Sequence, residues 1–465
     1  MSRRHLLRVV LLAGAALAAP LAVGWTQTPG PGPWNTGLHE DAARLMKAAT
    51  ADDFAWQRLA TLTDNFPGRL SGSENLARAI EWAVETMKAD GLEHVRAEPV
   101  MVPRWVRGRE TAEIIEPLRS PVAMLGLGGT VATPAGGLDA DVLPVSSFDE
   151  LRARSADARG RIVLFNVPYS SYSETVVYRT GGAGMAAQFG AVAVLVRSVG
   201  PIGLRTAHTG SVQYSSGQRA IPAASISVED ANRIVRLTAR GRRVRMHLLL
   251  EGRMEGEVQS ANVVAEIRGR ERPDEVVLIG GHLDSWDVGP GASDDGAGSI
   301  ATWEAARLIV KLGLRPRRTI RVVLFTNEEN GLRGAQAYAE RYAASAADHV
   351  FALESDSGVF QPASLGFSGS PAARAVVTHL ASLLAPLGFG DVLPGGGGAD
   401  IGPIAQAGNV PTMAYLGGDT ARFFAIHHTA ADTVERIAPD EMSKAAAAIA
   451  VMSYAIAEMP DRLPR

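Results

Sequence analysis

The residues best suited to chemistry in this sequence follow short apolar runs. The first run, residues 276–279, leads into His282 and Asp284. An imidazole can ligate a metal ion, and a nearby carboxylate can accept the N–H of its second ring nitrogen and thereby fix the tautomer. A turn with a structural His–Asp pair explains the same two residues, so this motif alone leaves both interpretations open.

A second apolar run, residues 320–325, leads into the adjacent acids Glu328 and Glu329. A solvated surface pair is the usual fate of two neighbouring glutamates. Here the apolar run places the pair at the edge of a sheet, where two carboxylates repel each other unless one binds a cation. Glu329 can then ligate a metal while Glu328 remains free to hold a proton.

The glycine-rich loop at residues 289–298 contains Asp294 and Asp295 and opens onto a helix at Ser299. Capping of that helix explains one aspartate. It does not explain two aspartates among so many glycines. The loop therefore also fits a carboxylate that bridges two cations, with small residues allowing the backbone to approach.

Three further candidates come from the last third of the chain. Asp356 follows a strand-like run at residues 349–353, although an aspartate in a turn before glycine is common. The pair His427 and His428 supplies imidazole from a loop, although such a pair is often structural. Asp432, four residues beyond His428, is a candidate supporting partner.

Taken together, these motifs supply two histidines, three carboxylate ligands and one spare glutamate. Catalytic zinc uses His and carboxylate ligands and keeps one position open for water. Two zinc ions about 3.5–4 Å apart would lower the pKa of a shared water and clamp the reacting oxygens. The predicted ligands are His282, Asp294, Glu329, Asp356 and one histidine of the pair His427 and His428, with Glu328 as the general base.

The elements that position these residues alternate between strand and helix from about residue 262 onward. This alternation predicts an α/β fold with a mixed, mostly parallel sheet and helices on both faces. In open sheets of this kind, reactive residues collect beyond the carboxyl ends of the strands. A helical pattern also covers residues 39–92, and the predicted later helices are 299–312, 335–344, 372–384 and 443–458.

Between the helical residues 39–92 and the α/β region that begins near residue 262, the sequence consists of short β-branched runs separated by Gly and Pro. The runs at residues 161–165, 191–196 and 223–228 predict strands, with a helix of small residues at 182–189. We therefore predict a β-rich insert at residues 119–252 that divides the catalytic domain. The two parts of that domain are then residues 38–118 and 253–460.

The first residues resemble an export signal. Arg3, Arg4 and Arg8 precede an apolar run at residues 11–23, which is too short to span a bilayer comfortably. Residues 1–27 are predicted to be a cleaved signal peptide, of general secretory or twin-arginine type, and an uncleaved tether is the alternative. The mature protein is then periplasmic or extracellular.

Composition limits the other function classes. The 465 residues carry a formal net charge of -3 and contain no Cys, which excludes disulfides, thiolate metal sites and a cysteine nucleophile. No cluster of Lys or Arg indicates nucleic-acid binding. No later apolar run is long enough to span a membrane, and pairing as a homodimer stays open.

In this order, the motifs resemble the di-zinc aminopeptidase family that includes bacterial leucyl aminopeptidase and glutamate carboxypeptidase. The resemblance also covers residues 66–73 (FPGRLSGS) and two motifs of the insert, residues 207–210 (AHTG) and Ile221–Pro222. It implies a zinc exopeptidase fold and identifies the insert as similar to a protease-associated domain.

The resemblance also implies roles for the metal ligands. His282 and Asp356 would hold one Zn²⁺, Glu329 and His428 the other, and Asp294 would bridge them. His428 is preferred to His427 because of its spacing to Asp432 and Thr433. The resemblance further implies a cis peptide bond between Asp294 and Asp295.

One loop departs from the family pattern. Some relatives carry a tyrosine that polarises the substrate carbonyl in the loop matching residues 395–400, where this chain has only Gly and Ala before Asp400. Zinc alone, or an unassigned donor, must then polarise the carbonyl. Asp400 itself is a candidate for lining the substrate pocket or for capping the following helix.

The expected activity is hydrolysis of unblocked dipeptides, or of the first residue of short peptides, by a two-metal-activated water. A receptor-like binding protein on the same fold is a second possibility, but such relatives have lost metal ligands that are all present here. A single-zinc glutaminyl cyclase or an amidohydrolase is a third. Metal stoichiometry and a dipeptide assay separate these functions.

Overall fold

The computed structural model describes residues 33–217, 219–389 and 391–465. The predicted signal peptide, residues 1–27, lies outside the described residues. Within them, no helix combines the length and apolar character needed to cross a membrane.

The larger of two sheets has eight strands in the order β1-β10-β12-β11-β13-β16-β14-β15. Its centre, β12-β11-β13-β16, is parallel, and so is the edge pair β14-β15, whereas the pairs β1-β10, β10-β12 and β14-β16 are antiparallel. The prediction of a mixed, mostly parallel sheet is therefore confirmed. The strands are β1 (Glu93–Val106), β10 (Arg253–Ile267), β11 (Arg272–His282), β12 (Arg318–Phe325), β13 (His349–Ser355), β14 (Ser364–Ser368), β15 (Val392–Pro394) and β16 (Thr412–Leu416).

Helices cover both faces of this sheet. One face packs against α1, α2, α3, α8 and α13, and the other against α9 and α11. Because both faces are covered, the central strands are mainly apolar and show no regular alternation of polar and apolar residues. The helices are α1 (Pro33–Ala49), α2 (Phe54–Asn65), α3 (Glu74–Ala89), α8 (Ala297–Lys311), α9 (Arg333–Arg341), α10 (Pro371–Ala381), α11 (Gly402–Gly408), α12 (Thr420–Ile426) and α13 (Pro439–Glu458).

Residues 110–250 form a second sheet with its own helices, called here the inserted unit. Its strand order is β3-β2-β9-β5-β6-β7-β8-β4, and the run from β5 to β8 is parallel. Its strands are β2 (Glu110–Glu116), β3 (Ser120–Pro121), β4 (Met124–Gly126), β5 (Leu138–Val145), β6 (Ile162–Phe165), β7 (Ala193–Arg197), β8 (Ala223–Ile226) and β9 (Arg245–Leu250), and its helices are α4 (Phe148–Ala153), α5 (Ser155–Ala158), α6 (Tyr172–Gln188) and α7 (Val228–Ala239).

This unit differs from the expected β-rich insert in two ways. Its sheet already begins at Glu110, before the expected boundary at residue 119. It also contains four helices where the sequence indicated one. The helices were missed because three are short or polar, and only α6 has the small-residue run that was noticed.

Parallel pairing aligns the strand ends that carry the candidate ligands. His282 at the end of β11 is in register with Phe325 at the end of β12. On the other side, Gly280 of β11 is in register with Glu354 of β13. The residues that follow these strands therefore emerge at one edge of the sheet.

Candidate metal centre

Asp294 lies at the centre of the candidate site. It belongs to the turn Ala292–Gly296, immediately before α8, and is 6% exposed. The peptide bond between Asp294 and Asp295 is cis, as expected. The two carboxylate oxygens of Asp294 face two different sets of side chains.

The first set consists of His282 and Asp356. His282 Nε2 lies 3.4 Å from Asp294 Oδ1 and 3.3 Å from Asp356 Oδ1. His282 Nδ1 lies 2.9 Å from the backbone carbonyl of Asp284, which can only accept. The Nδ1 atom therefore carries a proton, and Nε2 is the nitrogen that faces the two carboxylates.

The second set is built around His428. Its Nε2 lies 3.1 Å from Asp294 Oδ2 and 3.1 Å from Glu329 Oε2. His427 stacks on His428 with ring centroids 3.5 Å apart, and its Nε2 lies 3.3 Å from Asp294 Oδ2. His427 is therefore a second candidate ligand on this side, beside His428 and Glu329. The family resemblance had favoured His428 over His427.

The donor atoms fit metal ions. Two ligands held at about 2.0–2.1 Å around a tetrahedral zinc ion are roughly 3.3 Å apart, close to the observed spacings. Within the described residues, two groups can hold an ion: His282 with Asp294 and Asp356, and Asp294 with His427 and His428. Buried oxygens without a hydrogen-bond partner, Asp294 Oδ2 and Glu329 Oε1, are further unmet acceptors.

The electrostatics also favour cations. Burial opposes the charged form of the His282 imidazole, but Asp356 and Asp294 outweigh this effect and raise its pKa well above the usual value. Burial also opposes ionisation of Asp294, but His282, His427 and His428 hold its pKa well below the usual range. The site thus attracts positive charge strongly.

Glu328 stands apart from these two sets. Its Oε2 lies 3.9 Å from His282 Nε2, and its side chain is 22% exposed. Burial raises the pKa of Glu328 well above its usual value, Asp356 and Glu329 add to the increase, and His282 opposes it. A carboxyl group poised to take up a proton is suited to general-base chemistry.

Asp284 supports the site in a different way from the one expected. The predicted carboxylate acceptor for His282 is instead the Asp284 backbone carbonyl. The carboxylate accepts from the backbone N–H groups of Glu328, at 3.1 Å, and Glu329, at 3.3 Å. The correction follows from the turn after β11, which brings the Asp284 carbonyl closer to the ring than its side chain.

Asp432 and Arg69 hold the loop that carries Asp294. The Asp432 carboxylate accepts from the backbone N–H groups of Ser293, at 2.7 Å, and Asp294, at 3.1 Å. Arg69 is fully buried and donates to the carbonyls of Leu283, Phe66, Pro290 and Gly291. Asp432 was predicted as a supporting residue. Arg69 had been noted only as part of a motif.

The family resemblance implied that the inserted unit caps the site, but it named no residue of that unit that contacts the candidate ligands. The backbone N–H of Thr209 donates to the His428 carbonyl at 2.9 Å, and the Thr209 carbonyl lies 3.3 Å from His428 Nδ1. Arg179 of α6 lies beside the same ring. No spacing rule links residues so distant in sequence, and only the motif at residues 207–210 pointed to this region.

Asp400 takes neither of its expected places. Its side chain is fully buried, has no hydrogen-bond partner and does not line the main cavity. The helix that follows, α11, has Ile401 at its N-cap and no side-chain cap. Instead, the Asp400 N–H donates to the Glu354 carboxylate at 3.1 Å, and the packing of Gly398 against that carboxylate buries this loop.

A cavity of about 510 Å³ opens onto the site between the two sheets. Its walls include the acidic side chains of the centre as well as residues of the inserted unit and of the segment 420–428. The lining residues with chemistry are Tyr172, Arg179, Gln213, Asp294, Glu328, Glu329, Asn330, Asp356, His427 and His428.

Comparison with known proteins identifies the class. Residues 262–453 match the model of peptidase family M28. The chain is also 35% identical to a solved Peptidase M28 precursor from Shewanella amazonensis, with a TM-score of 0.89 over 93% of this chain and 99% of that chain. The chain therefore belongs to peptidase family M28 and is a metallopeptidase.

Among curated relatives, the chain is similar to carboxypeptidase Q. It is 46% identical to the human protein over 415 residues, which cover 89% of this chain and 88% of the relative. A zinc aminopeptidase from Bacillus subtilis shares the fold, with a TM-score of 0.66 at 20% identity, over 88% of this chain and 96% of that chain.

Proposed function

We propose that this protein is a zinc-dependent exopeptidase that hydrolyses unblocked dipeptides or removes the first residue of short peptides. The observation that carries the proposal is the position of Asp294. Each of its carboxylate oxygens faces a separate histidine–carboxylate set, His282 with Asp356 and His428 with Glu329. One bridging carboxylate between two such sets is the arrangement that a pair of metal ions requires.

The residues assigned to the two Zn²⁺ ions are those predicted from the sequence. His282 and Asp356 would hold one ion, Glu329 and His428 the other, and Asp294 both. When bound, such a pair of ions supplies Lewis-acid activation of water and of the substrate carbonyl.

Glu328 is assigned the proton transfers. Its carboxylate would take a proton from the attacking water, hold it, and deliver it to the amine nitrogen as the carbon–nitrogen bond breaks. Asp284 holds the backbone N–H of Glu328 and thus positions the base. Exclusion of bulk water by the cavity walls would keep the carboxyl pKa raised, in the direction that burial already imposes.

The inserted unit is proposed to act as a protease-associated domain that restricts access. It contributes Tyr172, Arg179 and Gln213 to the cavity wall. A cavity of about 510 Å³ admits a dipeptide more readily than a folded chain. Residues 1–27 are proposed to direct export to the periplasm or the medium.

The test compares the zinc-loaded wild type with Glu328→Gln on a panel of free dipeptides. The variant should bind the same amount of zinc but hydrolyse peptides about 10²–10⁴-fold more slowly. Asp274→Asn, at an exposed position near the start of β11, is the control and should behave as wild type.

Equal activity of wild type and Glu328→Gln would remove Glu328 from the mechanism. A folded wild type that binds two zinc ions yet cleaves no dipeptide would contradict the exopeptidase proposal. Uptake of a single ion, with cyclisation of an N-terminal glutamine, would favour the cyclase alternative.

A further inference from the structure

Arg179 is a charged side chain of the cavity wall to which the proposed metal binding and proton transfers give no role. It lies on α6 of the inserted unit and is 5% exposed. Its Nη2 donates to the Tyr172 hydroxyl at 2.8 Å, and its Nη1 lies 3.4 Å from the Thr209 carbonyl. Its buried Nε has no hydrogen-bond partner.

The charge of Arg179 is not balanced by a protein carboxylate. Among the ion pairs of the described residues, none includes Arg179. The buried Arg58 and Arg318 each pair with an acid, and the buried Arg69 instead donates to four backbone carbonyls. A buried charge without a charged partner is costly, so a ligand that supplies the counter-charge would stabilise Arg179. Arg179 is also the only Lys or Arg that lines the main cavity of the described structure.

The distance between Arg179 and the metal centre suits a short substrate. Arg179 Nη1 lies 3.4 Å from His428 Nδ1, the ring nitrogen that does not face the metal position. The guanidinium and the second metal position are therefore separated by one imidazole ring. In a dipeptide, the terminal carboxylate lies about one residue, roughly 3.5 Å, beyond the scissile amide.

We propose that Arg179 binds the C-terminal carboxylate of the substrate and thereby makes the enzyme favour dipeptides over longer peptides. The inference rests on the proposed exopeptidase function and names its specificity residue. Arginine binds carboxylates through paired, charge-assisted N–H···O bonds. Tyr172 assists, because its hydroxyl accepts from Arg179 and keeps its own proton to donate to the same carboxylate.

The surrounding packing holds the Arg179 guanidinium in one position. Gly210 lies so close that an added Cβ would be 2.3 Å from the Arg179 Cζ atom. Tyr172 lies on another side, with its ring centroid 5.4 Å from Cζ. A preorganised cation of this kind selects for a carboxylate at one distance from the metal centre, so a third substrate residue would leave Arg179 unpaired.

The experiment measures kcat and KM for a dipeptide, its C-terminal amide and the tripeptide extended by alanine. A further amide, with glutamate as the second residue, presents a carboxylate on the side chain instead of the terminus. The proteins are zinc-loaded wild type, Arg179→Met, Arg179→Lys and the control Arg152→Met, which replaces an exposed arginine of the same unit.

Wild type and Arg152→Met should prefer the free dipeptide over its amide and over the tripeptide by about 10²-fold in kcat/KM. Arg179→Met should lose that preference, mainly through a higher KM for the free dipeptide, and should retain its zinc. Arg179→Lys should keep part of the preference, because charge remains while the planar fork is lost.

Three outcomes would contradict the proposal that Arg179 binds the C-terminal carboxylate. If wild type cleaves dipeptide, amide and tripeptide equally well, the exopeptidase proposal stands but the Arg179 proposal fails. A preference unchanged in Arg179→Met has the same consequence, and if that variant does not fold, an unchanged preference in Arg179→Lys together with Tyr172→Phe is decisive. If wild type cleaves the glutamate amide as fast as the free dipeptide, and Arg179→Met does not, then Arg179 binds a substrate side-chain carboxylate and not the C-terminal one.

Two other results distinguish failure of the Arg179 proposal from failure of the exopeptidase proposal. Loss of zinc and of activity on all substrates in Arg179→Met would assign Arg179 to positioning His428 and overturn the Arg179 proposal. A wild type inactive on every compound would overturn the exopeptidase function, and the Arg179 proposal with it.

Discussion

The carboxylate of Asp284 holds the backbone of Glu328. Its Oδ1 accepts from the Glu328 N–H at 3.1 Å, and its Oδ2 accepts from the Glu329 N–H at 3.3 Å. Asp284 is fully buried, and it follows β11, whereas both glutamates follow β12. One side chain thus joins the ends of two strands and sets the spacing between His282, the proposed base and a proposed metal ligand.

We expect Asp284→Asn to reduce kcat about 10–100-fold while the protein stays folded, since partners that orient metal ligands typically contribute that much. An amide can accept at only one end, so one of the two N–H groups would face another donor. Steady-state kinetics and zinc content measure the effect. Asp274→Asn is the matched control, and equal rates in the two variants would show that the Asp284 carboxylate is dispensable.

Replacing the bridging residue should lower the zinc content per chain more than replacing a residue that binds one ion. Asp294→Asn is expected to lower the zinc content from two ions per chain to fewer than one, because both sets share its carboxylate. Asp356→Asn should lower it by one ion. Metal analysis after exhaustive dialysis gives the counts. Loss of a single ion in Asp294→Asn would mean that it does not bridge.

The two adjacent histidines should differ in their effect. Both Nε2 atoms approach Asp294 Oδ2, at 3.3 Å for His427 and 3.1 Å for His428, but His428 also lies 3.1 Å from Glu329. We therefore expect His428→Gln to lose one zinc ion and nearly all activity, and His427→Gln to keep both ions. Metal content and dipeptide hydrolysis are measured together, and the reverse result would make His427 the ligand.

Acid sensitivity should arise in part from His349, at the sheet edge opposite the site. Burial, together with the nearby Arg321, lowers the pKa of His349 to about 4. The unfolded chain has a histidine pKa of about 6.5, so between these values the unfolded state binds more protons. The stability contribution of neutral His349 is therefore present above about pH 6.5 and is lost as the pH falls toward 4.

For a native pKa of about 4, acidification from pH 7.5 to pH 5 should cost about 2 kcal/mol through this group. His349→Asn should be less stable at pH 7.5 but should lose correspondingly less on acidification. Denaturant unfolding in the presence of chelator gives the free energies of unfolding without a metal contribution. The exposed His379→Gln is the control, and an equal pH dependence in His349→Asn and wild type would exclude His349.

Local pattern was sufficient to predict the sheet and the positions of the candidate ligands. The apolar runs at residues 276–279 and 320–325 lie within β11 and β12, and the polar residues that follow them emerge at one edge. This succeeds because a strand buried on both faces is mainly apolar, so the point where its apolar run ends is visible in the sequence. The cis peptide bond at Asp294 came from family resemblance rather than from local pattern.

The contacts that support the site could not be predicted from local sequence pattern. The role of the Asp284 carboxylate depends on the path of the loop after β12, and the exclusion of Asp400 from the cavity depends on its burial beside Glu354. Either aspartate could have pointed elsewhere with the same sequence around it. Hydrophobic periodicity reports which face of an element is buried but not which atoms meet across a loop.

By itself, the sequence determined the class of chemistry, because His and carboxylate side chains in a chain without Cys leave a narrow choice of metal site. Only the tertiary structure decided what surrounds that chemistry. Thr209 and Arg179 reach His428 from the inserted unit, across 219 and 249 residues of chain. Such contacts result from the packing of the inserted unit against the sheet edge, and no local pattern in the chain records that packing.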